Sequence, residues 1–202
     1  EPYAGHGLRQ GRLPAAGPVT DTPAPDPGGA SAARVIGVAV AIPEPHGSRL
    51  QAIRARLGDA QADAIPTHVT LLPPTTVDAS LLPEIDDHLT AVARAQRPYS
   101  MMLQGSGTFR PVSPVVFVTL VDGISACERL ESAVRSGVLW RPLHFNYHPH
   151  VTVAHDLPDD VLDHARKELA DYTAAFLVDH FTVYEHLDGV WHPRRNFPFA
   201  EG

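Results

Sequence analysis

Two short segments of the sequence carry the same His-x-Thr arrangement, which suits acid–base chemistry. The first segment, "PTHVTLL", contains His68 and Thr70, and the second, "HPHVTVAH", contains His150 and Thr152. Imidazole has a pKa of about 6.5, so near neutral pH one ring can accept a proton while another donates one. A threonine hydroxyl can donate a hydrogen bond to an oxygen that gains negative charge. The paired motifs therefore fit displacement at a phosphoester, with one ring as base and the other as acid.

The residues around each motif predict a β-strand that presents histidine and threonine on one face. Side chains alternate along a strand, so His68 and Thr70 share a face while Val69 and Leu71 point to the opposite, packed side. The second motif repeats this pattern. A lone strand histidine is more often a structural, hydrogen-bonded residue, but two copies at matching places favour a functional pair.

The elements that flank the motifs recur in the same order, which predicts an internal duplication. Strand, helix, His-x-Thr strand, helix and strand follow one another twice, and Val35 to His68 spans 33 positions while Val115 to His150 spans 35. Halves related by a pseudo-twofold axis can place both polar faces in one cleft. The predicted strands are 34–42, 67–72, 99–109, 113–122, 148–155 and 174–187, the predicted helices are 48–58, 79–95, 124–137 and 158–172, and 189–199 is expected to close a sheet edge.

With their motif histidines 82 positions apart, these segments resemble the two-histidine (2H) phosphoesterase superfamily, in particular its RNA 2′,3′-cyclic phosphodiesterase or 2′-5′ RNA ligase-like branch. "PTHVTLLPP" and "HPHVTV" carry the resemblance, "GTFRPVSPVVFV" gives softer support, and about residues 34–200 are covered. The resemblance implies an α+β fold of two pseudo-symmetric lobes of antiparallel sheet, with outer helices around a central cleft. The lobes of that family are not simply the two halves of the chain.

The resemblance also implies roles for individual residues in a hydrolysis that needs no metal or cofactor. The substrate would be a 2′,3′-cyclic phosphate or a 2′-5′ linked nucleotide or RNA end, with His68 as acid and His150 as base, although a near-symmetric cleft could accept the ester in either direction. Many family members have an arginine shortly after the second motif, where this sequence has His155. Arg110, in "TFRP", is the alternative source of positive charge for the phosphate.

Other residues near the motifs are candidate substrate or metal contacts. Phe109 and Tyr147 have rings that can stack on a base, although both also suit the core or the rim of a cleft. His148 either shares the strand face of the second catalytic histidine or marks the rim. His144 and Asp156 raise the question of a zinc site, but the spacing matches no metal motif and no metal is predicted.

Two other functions remain open alongside the phosphodiesterase. The first is a non-catalytic module that binds a nucleotide or an RNA end, and the second is a metal-dependent hydrolase. Intact histidine and threonine in both motifs favour the enzyme, because a pure binder does not need two titrating groups.

Composition limits the partners and the location. The chain of 202 residues has a net charge of −7, whereas a protein that binds a long duplex usually carries a basic surplus. Cys127 is the single cysteine, which favours a reducing compartment, and no apolar run reaches the roughly 20 residues of a membrane span. We expect a cytoplasmic monomer with a Pro/Gly/Ala-rich tail at 1–33 and a two-lobed domain at 34–202.

Overall fold

Eight β-strands and four α-helices make up the part of the chain that the computed structural model describes, residues 32–143 and 145–201. The strands are β1 (Ala33–Ala41), β2 (His68–Asp78), β3 (Tyr99–Thr108), β4 (Val115–Asp122), β5 (His150–His155), β6 (Thr173–Val178), β7 (His180–Leu187) and β8 (Val190–Pro198). The helices are α1 (His46–Leu57), α2 (Leu82–Ala95), α3 (Ile124–Val134) and α4 (Asp159–Glu168). Short 3₁₀ turns lie at Ala79–Leu81 and Gly137–Leu139.

The strands form one sheet in the order β6-β3-β4-β5-β2-β1-β7-β8, and every neighbouring pair is antiparallel. The two motif strands, β2 and β5, meet in the middle of the sheet, where the register contains the single pair Val69↔Val151. Four strands lie on each side of this seam. The predicted α+β fold with antiparallel sheet is confirmed, and its two lobes share one sheet.

Each half of the sheet takes strands from both parts of the chain. β3 follows the first motif strand but pairs with β4, beyond the second motif strand, and β7 follows the second motif strand but pairs with β1. Helices also cross the seam, because α1 contacts β5 and α3 contacts β2. These crossed contacts hold the halves together where the strand pairing is narrow.

The apolar residues between the motif positions are buried, as the alternation predicts. Val69, Leu71, Val151 and Val153 are all within 1% of complete burial and belong to the main hydrophobic core. Burying such side chains is a principal source of folding free energy. The core thus fixes which face of β2 and β5 carries the polar residues.

Two predicted strand boundaries are wrong. β2 does not stop at Leu72 but continues past Pro73 and Pro74, because the register with β1 shifts there and a bulge tolerates residues that lack a donor. The predicted strand 174–187 is two strands, β6 and β7, which break at Asp179 and pair in different halves of the sheet.

The prediction that the segment 189–199 closes a sheet edge is confirmed, since β8 forms one edge of the sheet. The predicted tail, 1–33, lies almost wholly outside the described residues, and β1 begins at Ala33. None of the described helices combines the length and the hydropathy that a membrane span requires.

Candidate active site

Both motif histidines begin their strands, and both rings are held in the same way. Nδ1 of His68 lies 2.7 Å from the carbonyl oxygen of Pro66, and Nδ1 of His150 lies 2.7 Å from the carbonyl oxygen of His148. A carbonyl oxygen only accepts, so in each ring Nδ1 carries the hydrogen and donates it. The Nε2 atom of each neutral ring is therefore left with a lone pair that can accept a proton.

The surroundings of the two rings favour their neutral forms. Burial lowers the pKa of His68 to about 4; the Pro66 carbonyl opposes this shift, and the nearby charges of Arg54 and His150 add to it. Burial also lowers the pKa of His150. The His148 carbonyl opposes this shift, and the charge of the His148 ring increases it. Both rings are therefore mainly neutral at pH 7 in the free protein.

The α1–β2 connection holds the carbonyl group that orients His68. Arg54 and Asp59 form a buried ion pair with a distance of 3.1 Å, and Gln51 donates a hydrogen bond to the carbonyl oxygen of Ile65 at 3.2 Å. The hydroxyl of Thr67 donates to Gln51 at 2.7 Å. This network fixes the backbone on both sides of Pro66, although sequence inspection gave none of its members a role.

A cleft of about 960 Å³ opens beside the seam of the sheet. It is lined by five of the residues that the sequence singled out, namely Thr70, Phe109, Tyr147, His148 and His150. His68 and Thr152 are not among the residues that line this cleft, but the central Val69↔Val151 pair places their strands side by side at the seam. By strand alternation, Thr70 and Thr152 share the faces of their histidines, and both are partly buried.

Aromatic rings surround the second histidine. The centroid of Phe109 lies 4.9 Å from that of His150 at an interplanar angle of 89°, an edge-to-face contact, and Phe117 lies 5.2 Å away. His148 stacks roughly parallel to His150 at 6.1 Å. Phe117 was missed at the sequence level, although it faces Thr152 in the β4–β5 register. Phe109, which the sequence offered as a stacking ring for a base or as a core or rim residue, packs against the His150 ring.

Tyr147 ties the segment before β5 to β2. Its hydroxyl donates a hydrogen bond to the carbonyl oxygen of Thr70 at 2.9 Å, and burial raises its pKa well above the usual range. The phenol therefore stays protonated and acts as a donor to the backbone of the first motif.

The two candidate phosphate clamps have other partners. Arg110 pairs with Asp159 at 3.1 Å and with Asp163, both on α4, and these carboxylates raise the pKa of the guanidinium. His155 ends β5, with Nε2 3.4 Å from the carboxylate of Asp156. Neither residue is among those lining the cleft.

The arginines that line the cleft are two others, Arg135 and Arg141. Arg135 is buried, pairs with Glu131 at 3.1 Å, and donates to the carbonyl oxygen of Arg141 at 2.7 Å. Nothing in their sequence spacing distinguishes them from other surface arginines, because the loop that brings them to the cleft depends on tertiary packing.

Within the described residues, no group of three or more histidine, cysteine, aspartate or glutamate side chains could hold a metal ion. His144, one of the residues weighed for zinc, lies outside the described residues.

The comparison with protein families decides the classification. Residues 42–190 match the family model of the 2′-5′ RNA ligase superfamily, which is well over half of the chain. The chain belongs to this superfamily. The resemblance drawn from the two His-x-Thr motifs is thereby confirmed, and the protein is a phosphoesterase-family member.

Relatives of this 2H phosphoesterase-family chain come from several bacteria. A protein of Geobacillus sp. (strain WCH70), provisionally named a phosphoesterase, is 28% identical over 138 residues, which cover 66% of this chain and 78% of the relative. A protein of Bacillus thuringiensis (strain Al Hakam), named in the same way, is 25% identical over 143 residues, covering 68% and 81%.

Solved structures of the superfamily share the fold. The apo crystal structure of E. coli LigT aligns with a TM-score of 0.60 at 17% identity, covering 84% of this chain and 99% of LigT. TT0787 of Thermus thermophilus aligns with a TM-score of 0.53 at 17% identity, covering 83% and 98%. At these identities the likeness concerns the fold.

Proposed function

We propose that the protein is a metal-independent phosphodiesterase that hydrolyses the 2′,3′-cyclic phosphate, or a 2′-5′ linkage, of a small nucleotide or RNA end. The observation that carries this proposal is the matched pair of imidazoles on the two central strands. Each ring donates Nδ1–H to a backbone carbonyl two residues upstream, which leaves both Nε2 atoms for proton transfer. Membership of the superfamily supports the same reaction class.

In the proposed reaction, water attacks phosphorus and the bond from phosphorus to the 3′-oxygen breaks. Nε2 of His150 takes the proton from the attacking water, and Nε2 of His68 gives a proton to the leaving 3′-oxygen, which yields a 2′-phosphate. An imidazolium with a low pKa is a stronger acid, which suits His68 for donation to an alkoxide. The anionic substrate favours the protonated form of that ring when it binds.

Other groups of the site have supporting roles in this proposal. The hydroxyls of Thr70 and Thr152 donate hydrogen bonds to the non-bridging phosphate oxygens, where charge accumulates in the transition state. The rings of Phe109 and His148 lie beside His150, the proposed general base. Because two carboxylates offset the charge of Arg110, we assign the phosphate to the histidines and threonines rather than to that arginine.

A small nucleotide as substrate agrees with the ligands of a protein of the same fold. E. coli LigT has been crystallised with 3′-AMP, with ATP and with NADP+. Those ligands belong to LigT, and for this chain they support the choice of a nucleotide panel.

The test is hydrolysis of 2′,3′-cyclic and 2′-5′ linked nucleotides with and without chelator. His68→Ala and His150→Ala should each lower kcat/KM by about 10²- to 10⁴-fold, the usual contribution of general acid–base catalysis. His164→Ala, at an exposed histidine of α4, is the matched control and should keep wild-type activity. Near wild-type rates in either motif variant would refute the two-histidine mechanism, and loss of activity with chelator would favour a metal-dependent hydrolase.

Binding without turnover in the same panel would point to the non-catalytic module instead. In that case the two histidine variants would alter nucleotide affinity while no product formed in any sample, which isothermal titration and product analysis would show.

A further inference from the structure

The mouth of the cleft exposes large apolar side chains from two separate loops. Val112, in the loop between β3 and β4, is 79% exposed, and Leu143 and Phe145, between α3 and β5, are 53% and 76% exposed. All three line the cleft. Clustered exposed apolar side chains around a cleft usually mark a surface that a ligand covers.

The wall below this mouth continues the apolar character. Leu72, Pro73 and Pro74 of β2 line the same cleft. They lie at the bulge, where the register between β2 and β1 shifts. The two prolines have no N–H groups, so this wall offers few donors to a ligand.

Cationic groups are sparse along the cleft. Of the arginines that line it, Arg135 is buried and neutralised by Glu131, which also lines the cleft. Arg141 is exposed, and its guanidinium donates to the carbonyl oxygen of Trp140 at 2.6 Å. A groove that follows a nucleic-acid strand needs a row of cations to bind successive phosphates. The described lining residues provide one unneutralised arginine, which is too few for such a row.

We propose that the site takes a phosphoester of one nucleotide, with the phosphate at the histidines and the base against Val112, Leu143 and Phe145. Further nucleotides of an RNA strand gain no binding energy from the cleft. This inference rests on the proposed phosphodiesterase function and narrows its substrate class. Affinity for the non-phosphate part comes from apolar contact and is therefore nearly independent of salt.

The first experiment compares substrate length and salt. The wild-type protein is assayed on 2′,3′-cyclic AMP and on a ten-nucleotide oligoadenylate that ends in the same cyclic phosphate, at 50 and 200 mM salt. We expect kcat/KM to agree within about threefold between the substrates. With one phosphate contact it should fall by only about threefold across the salt range, whereas five contacts would give about a hundredfold. A KM at least tenfold lower for the oligonucleotide would overturn the inference.

The second experiment removes the most exposed aromatic ring of the mouth. Phe145→Ala should raise KM for 2′,3′-cyclic AMP by about 5- to 30-fold with little change in kcat, in line with the loss of one base–aromatic contact. On ribose 2′,3′-cyclic phosphate, which has no base, the same variant should match wild type. Leu177→Ala, at a residue of β6 that is 60% exposed and not part of the cleft lining, is the control and should change neither substrate.

The outcomes separate the inference from the function on which it rests. If wild type hydrolyses both small substrates but Phe145→Ala affects them equally or not at all, the apolar mouth does not hold the base and the inference fails alone. If wild type hydrolyses neither small substrate nor the oligonucleotide, the proposed function fails and the inference fails with it.

Discussion

At the scale of single residues, the site is governed by how two imidazoles are kept neutral. Burial disfavours the charged form of each ring, and the carbonyl oxygen at Nδ1 only partly offsets this effect. The sequence predicted the histidine and threonine pairs because a two-residue spacing on a strand is a local property. It could not reveal that Phe117 packs beside His150 or that Arg135 lines the same cleft, because these positions depend on strand register and on the fold of the α3–β5 segment.

The lowered pKa of His68 predicts how stability depends on pH. The pKa is about 4 in the folded protein and about 6.5 when unfolded, so between these values the unfolded chain binds more protons. The free energy of unfolding should therefore fall as pH drops from about 6.5 to about 4. His68→Gln should flatten the dependence of Tm on pH in this window. An identical slope in wild type and His68→Gln would contradict the shift.

The two histidines should behave as one catalytic unit. The rate is expected to be bell-shaped in pH, with limbs that belong to the coupled pair rather than to either ring. The double variant His68→Ala/His150→Ala should lose much less than the product of the two single losses, because neither ring catalyses well without the other. Strictly multiplicative losses in kcat/KM would show that the residues act independently.

Tyr147→Phe tests whether that side chain positions the backbone or contacts a base. Loss of its hydrogen bond to Thr70 should lower the free energy of unfolding by about 1 kcal/mol, as measured by denaturant titration. Tyr172→Phe is the matched control, because the Tyr172 hydroxyl is buried without a hydrogen-bond partner among the described residues and its removal should cost nothing. Equal effects in the two variants would refute a positioning role for Tyr147.

At the scale of elements, the seam between β2 and β5 is the critical feature. One residue pair joins these strands, and α1 and α3 each cross to the opposite motif strand. Alternation predicted both motif strands because each has a buried and a polar face. The bulge at Pro73 and Pro74 and the break at Asp179 were not predictable, since each depends on a partner strand distant in sequence.

The two faces of β5 should respond differently to substitution. Val151→Ala removes a fully buried side chain at the seam and should cost about 2–4 kcal/mol of stability through lost burial and a cavity. Thr152→Val, at the next residue, keeps the shape of the threonine side chain but removes its hydroxyl. It should leave the denaturant midpoint nearly unchanged and lower kcat/KM. The reverse order of effects would mean that the faces of the strand are exchanged.

At the scale of the whole molecule, the contacts that close the sheet join distant parts of the chain. Arg194 of β8 makes two hydrogen bonds to Asp86 of α2, at 2.6 and 2.8 Å, and the two arginines Arg194 and Arg195 lower the pKa of that carboxyl group. Composition predicted a substantial core, and the net charge of −7 argued against a protein that binds a long nucleic-acid duplex. It gave no sign of which charges would pair, because Asp86 and Arg194 are far apart in sequence.

The sequence predicts that the N-terminal Pro/Gly/Ala-rich segment is a tail that contributes little to folding, and a deletion tests this. Deleting residues 1–31 should leave Tm and kcat/KM nearly unchanged, because that segment contains few large apolar side chains that could contribute to a core. A large drop in Tm for the shortened protein would show that the segment is part of the folded domain.

The crossed strand pairing gives the chain the topology of a domain-swapped dimer fused into one polypeptide. β3, which follows the first motif, pairs in the half of the sheet that holds the second motif, and β7 and β8, which follow the second motif, lie in the half that holds the first. Reciprocal exchange of this kind makes each copy depend on the other for a closing strand. Neither half of the chain, expressed alone, would therefore be expected to form its four-stranded part of the sheet.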